Sequence, residues 1–290
     1  MQLFQKFILA LAISISTFNI ADARVEAVIG SLPLNKNPNL AILLPETENS
    51  EVLISRQQYL ISYNKYRRAP NWVAWKIEAN QLGSIGRSNK FQQDSELENY
   101  LTKSGGGFHA VNATDYTRSC FDRGHQIPSG DRTDTKENNE ATFNMSNMIP
   151  QTPFLNRGMW EHLESYTRSL VLEQGKKVFI IAGPIYDANF GNIGPNKDIP
   201  VPSKEFKIIF ILEPNQTVAD IHQNTPMIAV IMPNTLKNGQ APVPSTPNCG
   251  GSATDSLGSK EDWKQYQTSL TEIENKSNLV FHNFSFAMTP

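Results

Sequence analysis

The sequence predicts an α+β fold in which a mixed sheet packs against helices. Three observations carry that expectation. Apolar runs at Val178 to Gly183, Phe206 to Leu212 and Ile228 to Met232 read as strands buried in a sheet. Between Phe154 and Glu173, the residues Leu155, Met159, Leu163, Tyr166 and Leu170 recur at the spacing of a helix with one buried face. No internal repeat, low-complexity tract or proline-rich linker divides the chain, so one domain is expected. Its 290 residues, 39% hydrophobic and 19% charged, suffice to bury a core. The formal net charge of −2 supplies no global attraction for a polyanion, so any basic surface has to be local.

From the N-terminus, Lys6 precedes the apolar run Phe7 to Phe18 and the small-residue pattern Ala21-Asp22-Ala23, which reads as a signal peptide over residues 1–23. The run falls short of the roughly 20 residues that span a bilayer. A buried N-terminal helix is the alternative; a mitochondrial targeting helix is opposed by the absence of arginine before Arg24. The mature chain is therefore expected to start near Arg24 and to be secreted or periplasmic. Residues 24–50 are polar and expected to be irregular, and 51–290 form the domain. Within it, Glu51 to Ile61 reads as a short strand followed by a helical turn, and Trp72 to Ile77, after Pro70 and Asn71, as the first firm strand. Leu82 to Val111, which holds Arg87 and the Gly105-Gly106-Gly107 turn, reads as a connecting loop.

A strand follows through Phe121 to Ile127, carrying His125 and ended by Pro128 and Gly130. Next comes the long helix, stopped by Gly175, with Lys176 and Lys177 where positive charge suits a helix C-terminus. Trp263, Tyr266, Leu270 and Ile273 predict a second helix over Asp262 to Glu274. Two cysteines in an exported chain can close one bridge, and neither lies in a CxxC pair that would suggest structural zinc. A Cys120–Cys249 bridge would close a loop of 129 residues and, Cys120 preceding Asp122 by two, would hold the strand that bears His125.

Chemistry gathers around Asp122-Arg123-Gly124-His125, Asn156 in the first turn of the long helix, and Glu164 about two turns later. On a helix Asn156 and Glu164 project within roughly 80° of each other. An amide oxygen is a hard neutral ligand suited to magnesium, and a carboxylate can hold a water of its shell. A neutral imidazole can take a proton from an attacking water. Separately these residues have ordinary readings, a surface histidine, a cap and a solvated carboxylate; together they describe metal-assisted hydrolysis of a phosphate diester.

Asp122-Arg123-Gly124-His125, Pro128-Ser129, Asp131-Arg132 and the stretch FNMSNMIPQTPFLNRGMWEHLE from Phe143 to Glu164 resemble the DNA/RNA non-specific endonuclease family, which includes the Serratia-type secreted nucleases. The resemblance extends from about Glu51 to Phe284, through Asn71-Trp72-Val73-Ala74-Trp75, the Arg87 loop, Ala182-Gly183-Pro184, Met232-Pro233-Asn234 and Tyr266 to Phe281. It implies a ββα-metal (His-Me finger) fold with a mixed or antiparallel sheet flanked by helices. It also implies one magnesium ion, with manganese as substitute, bound directly by Asn156 and through water by Glu164. By the same resemblance, His125 is the general base and Arg87 stabilises the charge developing on the phosphate, while Arg123 and Asp122 orient the hairpin and the water shell. DNA and RNA would both be cut without sequence preference, leaving 5′-phosphates; a homodimer is an option the family leaves open. Gln126 departs from the family pattern, standing where an aliphatic residue is usual.

Two other functions fit the same residues. A binding protein that kept the fold would have lost turnover, which the intact His125, Asn156, Glu164 and Arg87 oppose. A phosphodiesterase for small nucleotides would lack the steep salt dependence of polymer binding.

Overall fold

The computed structural model describes residues 25–40, 44–47, 51–252 and 258–281; the expected signal peptide over 1–23 lies outside the described residues. Along the chain run strands β1 (Val25–Ile29), β2 (Glu46–Thr47), β3 (Glu51–Arg56), β4 (Tyr59–Asn64) and β5 (Ala69–Ile77), then helix α1 (Ser95–Ser104). Strand β6 (Asp122–His125), helix α2 (Lys136–Ala141), strand β7 (Met148–Gln151) and helix α3 (Glu161–Leu172) follow. The remainder is β8 (Lys177–Ile185), β9 (Asn192–Ile193), β10 (Ile199–Pro200), β11 (Lys204–Leu212), β12 (Met227–Pro233), α4 (Leu270–Ser277) and β13 (Leu279–Val280). A seven-stranded sheet has the order β1-β3-β4-β5-β8-β11-β12, antiparallel throughout except for the parallel β1–β3 pair.

Alternation along the strands sorts the core onto two faces. Val73, Trp75, Ile77, Val178, Ile180 and Ile209 point toward α1 and α3, meeting Leu97, Leu101, Leu155, Met159, Trp160 and Leu163. Trp72, Ala74, Phe179, Ile181, Phe206, Ile208 and Phe210 point the other way, against Leu270, Ile273 and Phe281. A smaller cluster, with Phe121, Met145, Met148, Val201 and Cys249, underlies the β6–β7 hairpin. The expected disulfide joins Cys120 to Cys249, with Cα atoms 5.3 Å apart.

Several local expectations are corrected. Residues 24–50 are not wholly irregular: β1 extends the sheet edge, its partly exposed alternation too weakly apolar to stand out. The helical turn expected after Glu51 is a tight hairpin, in which Arg56 pairs with Tyr59 and Ser62 and Asn64 occupy buried strand positions. The loop expected over Leu82 to Val111 contains α1. Asp94 caps it by accepting from the Leu97 amide (3.3 Å) and pairs with Arg56 (2.7 Å), and Leu97 and Leu101 bury one narrow stripe. The long helix is not uniform, since a π-type turn over Leu155–Trp160, irregular at Gly158 (φ −110°, ψ −114°), precedes α3. Nor is Asp262 to Glu274 one helix: Gln267 is extended and bridges to Val230, and α4 begins after Ser269.

The Ser269 hydroxyl accepts from the Glu272 amide at 3.1 Å. Ser269→Ala is expected to cost about 1 kcal/mol, read as a lower urea midpoint. Because α4 covers the face turned away from α3, any activity of the His125 hairpin should stay unchanged.

Candidate active site

The strands that bear the DRGH string form a separate antiparallel hairpin, in which Asp122 faces Gln151, Arg123 faces Pro150, Gly124 faces Ile149 and His125 faces Met148. Thr152 then turns the chain into the helix: its hydroxyl accepts from the Leu155 amide (3.2 Å) and its carbonyl from the Asn156 amide (2.9 Å). Two strands and a helix start therefore converge at one place. Asn234 secures the junction, accepting from the Thr152 amide at 2.8 Å and donating to the Pro150 and Pro202 carbonyls at 2.9 and 2.8 Å.

A cleft of about 610 Å³ opens there, and all six residues singled out from the sequence line it: Arg87, Asp122, Arg123, His125, Asn156 and Glu164. His125 is 6% exposed, its ring between the edges of Phe91 and Phe143 with centroids at 5.6 and 4.8 Å. Its Nε2 is buried without a hydrogen-bond partner. Burial, reinforced by Arg87 and Arg123, holds this imidazole down to about 3, against the opposing hydrogen bond to the Arg123 backbone. The ring is thus neutral at ordinary pH.

Asn156 donates its amide Nδ2 to Asp122 Oδ2 (2.8 Å), which leaves Oδ1 as the atom offered to a cation. Arg157 grips the same carboxylate through Nε (2.8 Å) and Nη2 (2.6 Å). Glu164 lies 3.5 Å from the Lys207 ammonium, which itself sits 3.9 Å from the Trp160 ring centroid. Burial pushes the Glu164 carboxyl up to about 7, opposed by Lys207 and Arg168 and aided by Asp131 and Glu161. Arg87 donates to Ser129 Oγ and Asn89 Oδ1 at 2.8 Å each and covers the Phe143 ring, while Arg123 lies 3.8 Å above the Phe91 ring.

Among the described residues, no group of three or more His, Cys, Asp or Glu side chains is placed to enclose a metal. The donor set fits a hard, largely hydrated cation: one amide oxygen, a nearby carboxylate and an open cleft. Sequence reasoning missed Phe91, Arg157 and Glu161 as lining residues. Arg157 and Glu161 stand on the helix turn already suspected; Phe91 comes from a distant loop with no spacing signal.

The comparisons agree with this geometry. A model of the DNA/RNA non-specific endonuclease family matches residues 37–285. A nuclease from Nostoc sp. is 35% identical over 246 residues, covering 84% of this chain and 78% of the relative. The nuclease of Serratia marcescens is 30% identical over 197 residues, 65% of this chain and 71% of that one. A solved structure of EndoG in complex with EndoGI, concerned with EndoG inhibition, superposes with a TM-score of 0.58 at 25% identity, covering 80% of this chain and 86% of EndoG. The sheet, hairpin and helix start are thus those of the ββα-metal nuclease fold, whose members use a divalent metal. The chain belongs to the DNA/RNA non-specific endonuclease family and is an enzyme that hydrolyses nucleic acids.

Proposed function

We propose that the chain is an exported, sugar-non-specific endonuclease with His125 as general base and one divalent ion, magnesium or in its place manganese. The observation that carries this reading is that His125, a neutral imidazole, lines the same cleft as Asn156, Glu164 and Arg87. Asn156 Oδ1 would hold the ion directly and Glu164 through water. When bound, the ion supplies positive charge that offsets the charge developing on the phosphate diester. The neutral imidazole takes a proton from the attacking water. Arg87, held by Ser129 and Asn89, meets the nonbridging oxygens as their charge grows. Asp122 fixes the Asn156 amide, and Arg123 braces the hairpin against Phe91. Attack at phosphorus breaks the bond to the 3′-oxygen, which leaves with a proton from solvent water, giving a 5′-phosphate and a 3′-hydroxyl.

Export from the cytoplasm, after removal of residues 1–23, accords with the Cys120–Cys249 bridge, because disulfides persist in oxidising compartments. No helix among the described residues is long and apolar enough to cross a membrane. The test is cleavage of plasmid DNA and of a structured RNA by the mature chain, with magnesium or with EDTA, across a salt series. Both polymers should be cut only with the metal, with affinity falling steeply as salt rises. Failure to cut either would sink the proposal. Sedimentation of the same sample distinguishes monomer from homodimer.

A further inference from the structure

We infer that Glu205 is a positioning residue, whose buried carboxyl group clamps both strands of the β6–β7 hairpin to the central sheet and so fixes where His125 stands. The inference rests on the reading of His125 as the base.

Glu205 lies on β11, the strand between β8 and β12, and is fully buried. Its Oε2 accepts two hydrogen bonds, from Gln126 Nε2 at 3.0 Å and from Gln151 Nε2 at 2.6 Å. Gln126 immediately follows His125, and Gln151 ends β7 opposite Asp122. One oxygen atom therefore ties the outgoing side of β6 and the outgoing side of β7 to the same point on the sheet.

The path of Gln151 is possible only because residue 124 is glycine. A Cβ at Gly124 would lie 2.2 Å from the Gln151 Cδ, so the side chain crosses the backbone beside His125 on its way to Glu205. His125 is thus flanked on one side by a backbone that Gln151 overlies and on the other by a side chain that Glu205 holds. The Gln126 amide also donates to the Asn147 carbonyl at 3.0 Å, so that residue is anchored through both backbone and side chain.

Packing alone does not call for these groups. Buried polar side chains cost free energy that apolar residues of the same shape would avoid. What the polar set adds is a directional, three-point attachment in place of a sliding apolar contact. Displacement of a reacting group by about 1 Å can cost on the order of 100-fold in rate, so the attachment bears on turnover more than on substrate binding.

The experiment compares Glu205→Leu and Glu205→Gln on an oligonucleotide substrate with magnesium, after thermal melts establish that each variant folds. Glu205→Leu leaves both glutamine amides without their acceptor; kcat should fall about 10- to 100-fold with KM within about threefold. Glu205→Gln keeps a carbonyl oxygen that can accept both bonds, and should stay within about threefold of the wild-type kcat. Should the leucine variant not fold, Gln126→Met, which removes one limb of the clamp, takes its place with the same expectation of lower kcat at unchanged KM. Wild-type kcat in folded Glu205→Leu, or in Gln126→Met where that variant stands in, overturns the inference; so does an equal fall in the leucine and glutamine variants. With His125→Ala inactive, such a result removes the clamp alone, whereas an active His125→Ala removes the base on which it depends.

Discussion

Alanine at position 125 is expected to lower kcat by about 10²- to 10⁴-fold, the range a positioned general base contributes, with KM for a long polymer nearly unchanged. The substrate's phosphates would still meet Arg87, Arg123 and the cation site at Asn156, so binding survives while proton removal from the water does not. The ring sits between Phe91 and Phe143 with only 6% of its residue exposed, so its deletion leaves an imidazole-sized space with apolar walls. Added imidazole should enter that space and restore part of the rate. Single-turnover cleavage with and without imidazole checks both statements. An alanine variant within a few fold of the wild type would remove His125 from the chemistry.

The Cys120–Cys249 bridge carries the second large effect. Closing a loop of 129 residues reduces the freedom of the unfolded chain by an amount worth about 4 to 5 kcal/mol. Small domains have only about 5 to 15 kcal/mol in all. The double variant Cys120→Ser with Cys249→Ser is therefore expected to lose much of its stability, read from urea unfolding. Cys249 is fully buried in the cluster beneath the hairpin, and Cys120 stands two residues before Asp122. Cleavage should consequently fail at a lower temperature than global unfolding, as the entry to β6 loosens first. A stability change below about 1 kcal/mol would mean that the reduced, unfolded chain already holds these segments together.

What the sequence made legible follows from how locally each feature is written. The strand at 178–183, and apart from Lys207 the one at 206–212, are apolar on both faces because the sheet is covered on both, and such runs are conspicuous. Helix α1 was missed because only Leu97 and Leu101 are buried within it, amid charged residues and beside three glycines. The β3–β4 hairpin was half missed because Ser62 and Asn64 are buried polar residues: Ser62 bonds to Glu51, and Asn64 to Asn71 at 3.2 Å. The six candidate residues were legible because they cluster in two short stretches and one loop, and all of them line one cleft. Glu205 was not, since its partners Gln126 and Gln151 are 79 and 54 residues away and no local pattern links them.

The polarity of β11 has a consequence for assembly of the fold. On this strand Glu205 and Lys207 share the face that meets the hairpin and α3, while Phe206, Ile208 and Phe210 share the other. A slip of one residue against β8 would exchange the two faces. It would drive a carboxyl and an ammonium into an apolar cluster and set phenylalanines against Gln126, Gln151 and Glu164. Burying charges without partners costs several kcal/mol each, enough to reject the misaligned sheet as it forms. The side chains that serve the active site thus also proofread strand alignment, and variants that make β11 uniformly apolar should refold more slowly, through misaligned sheets.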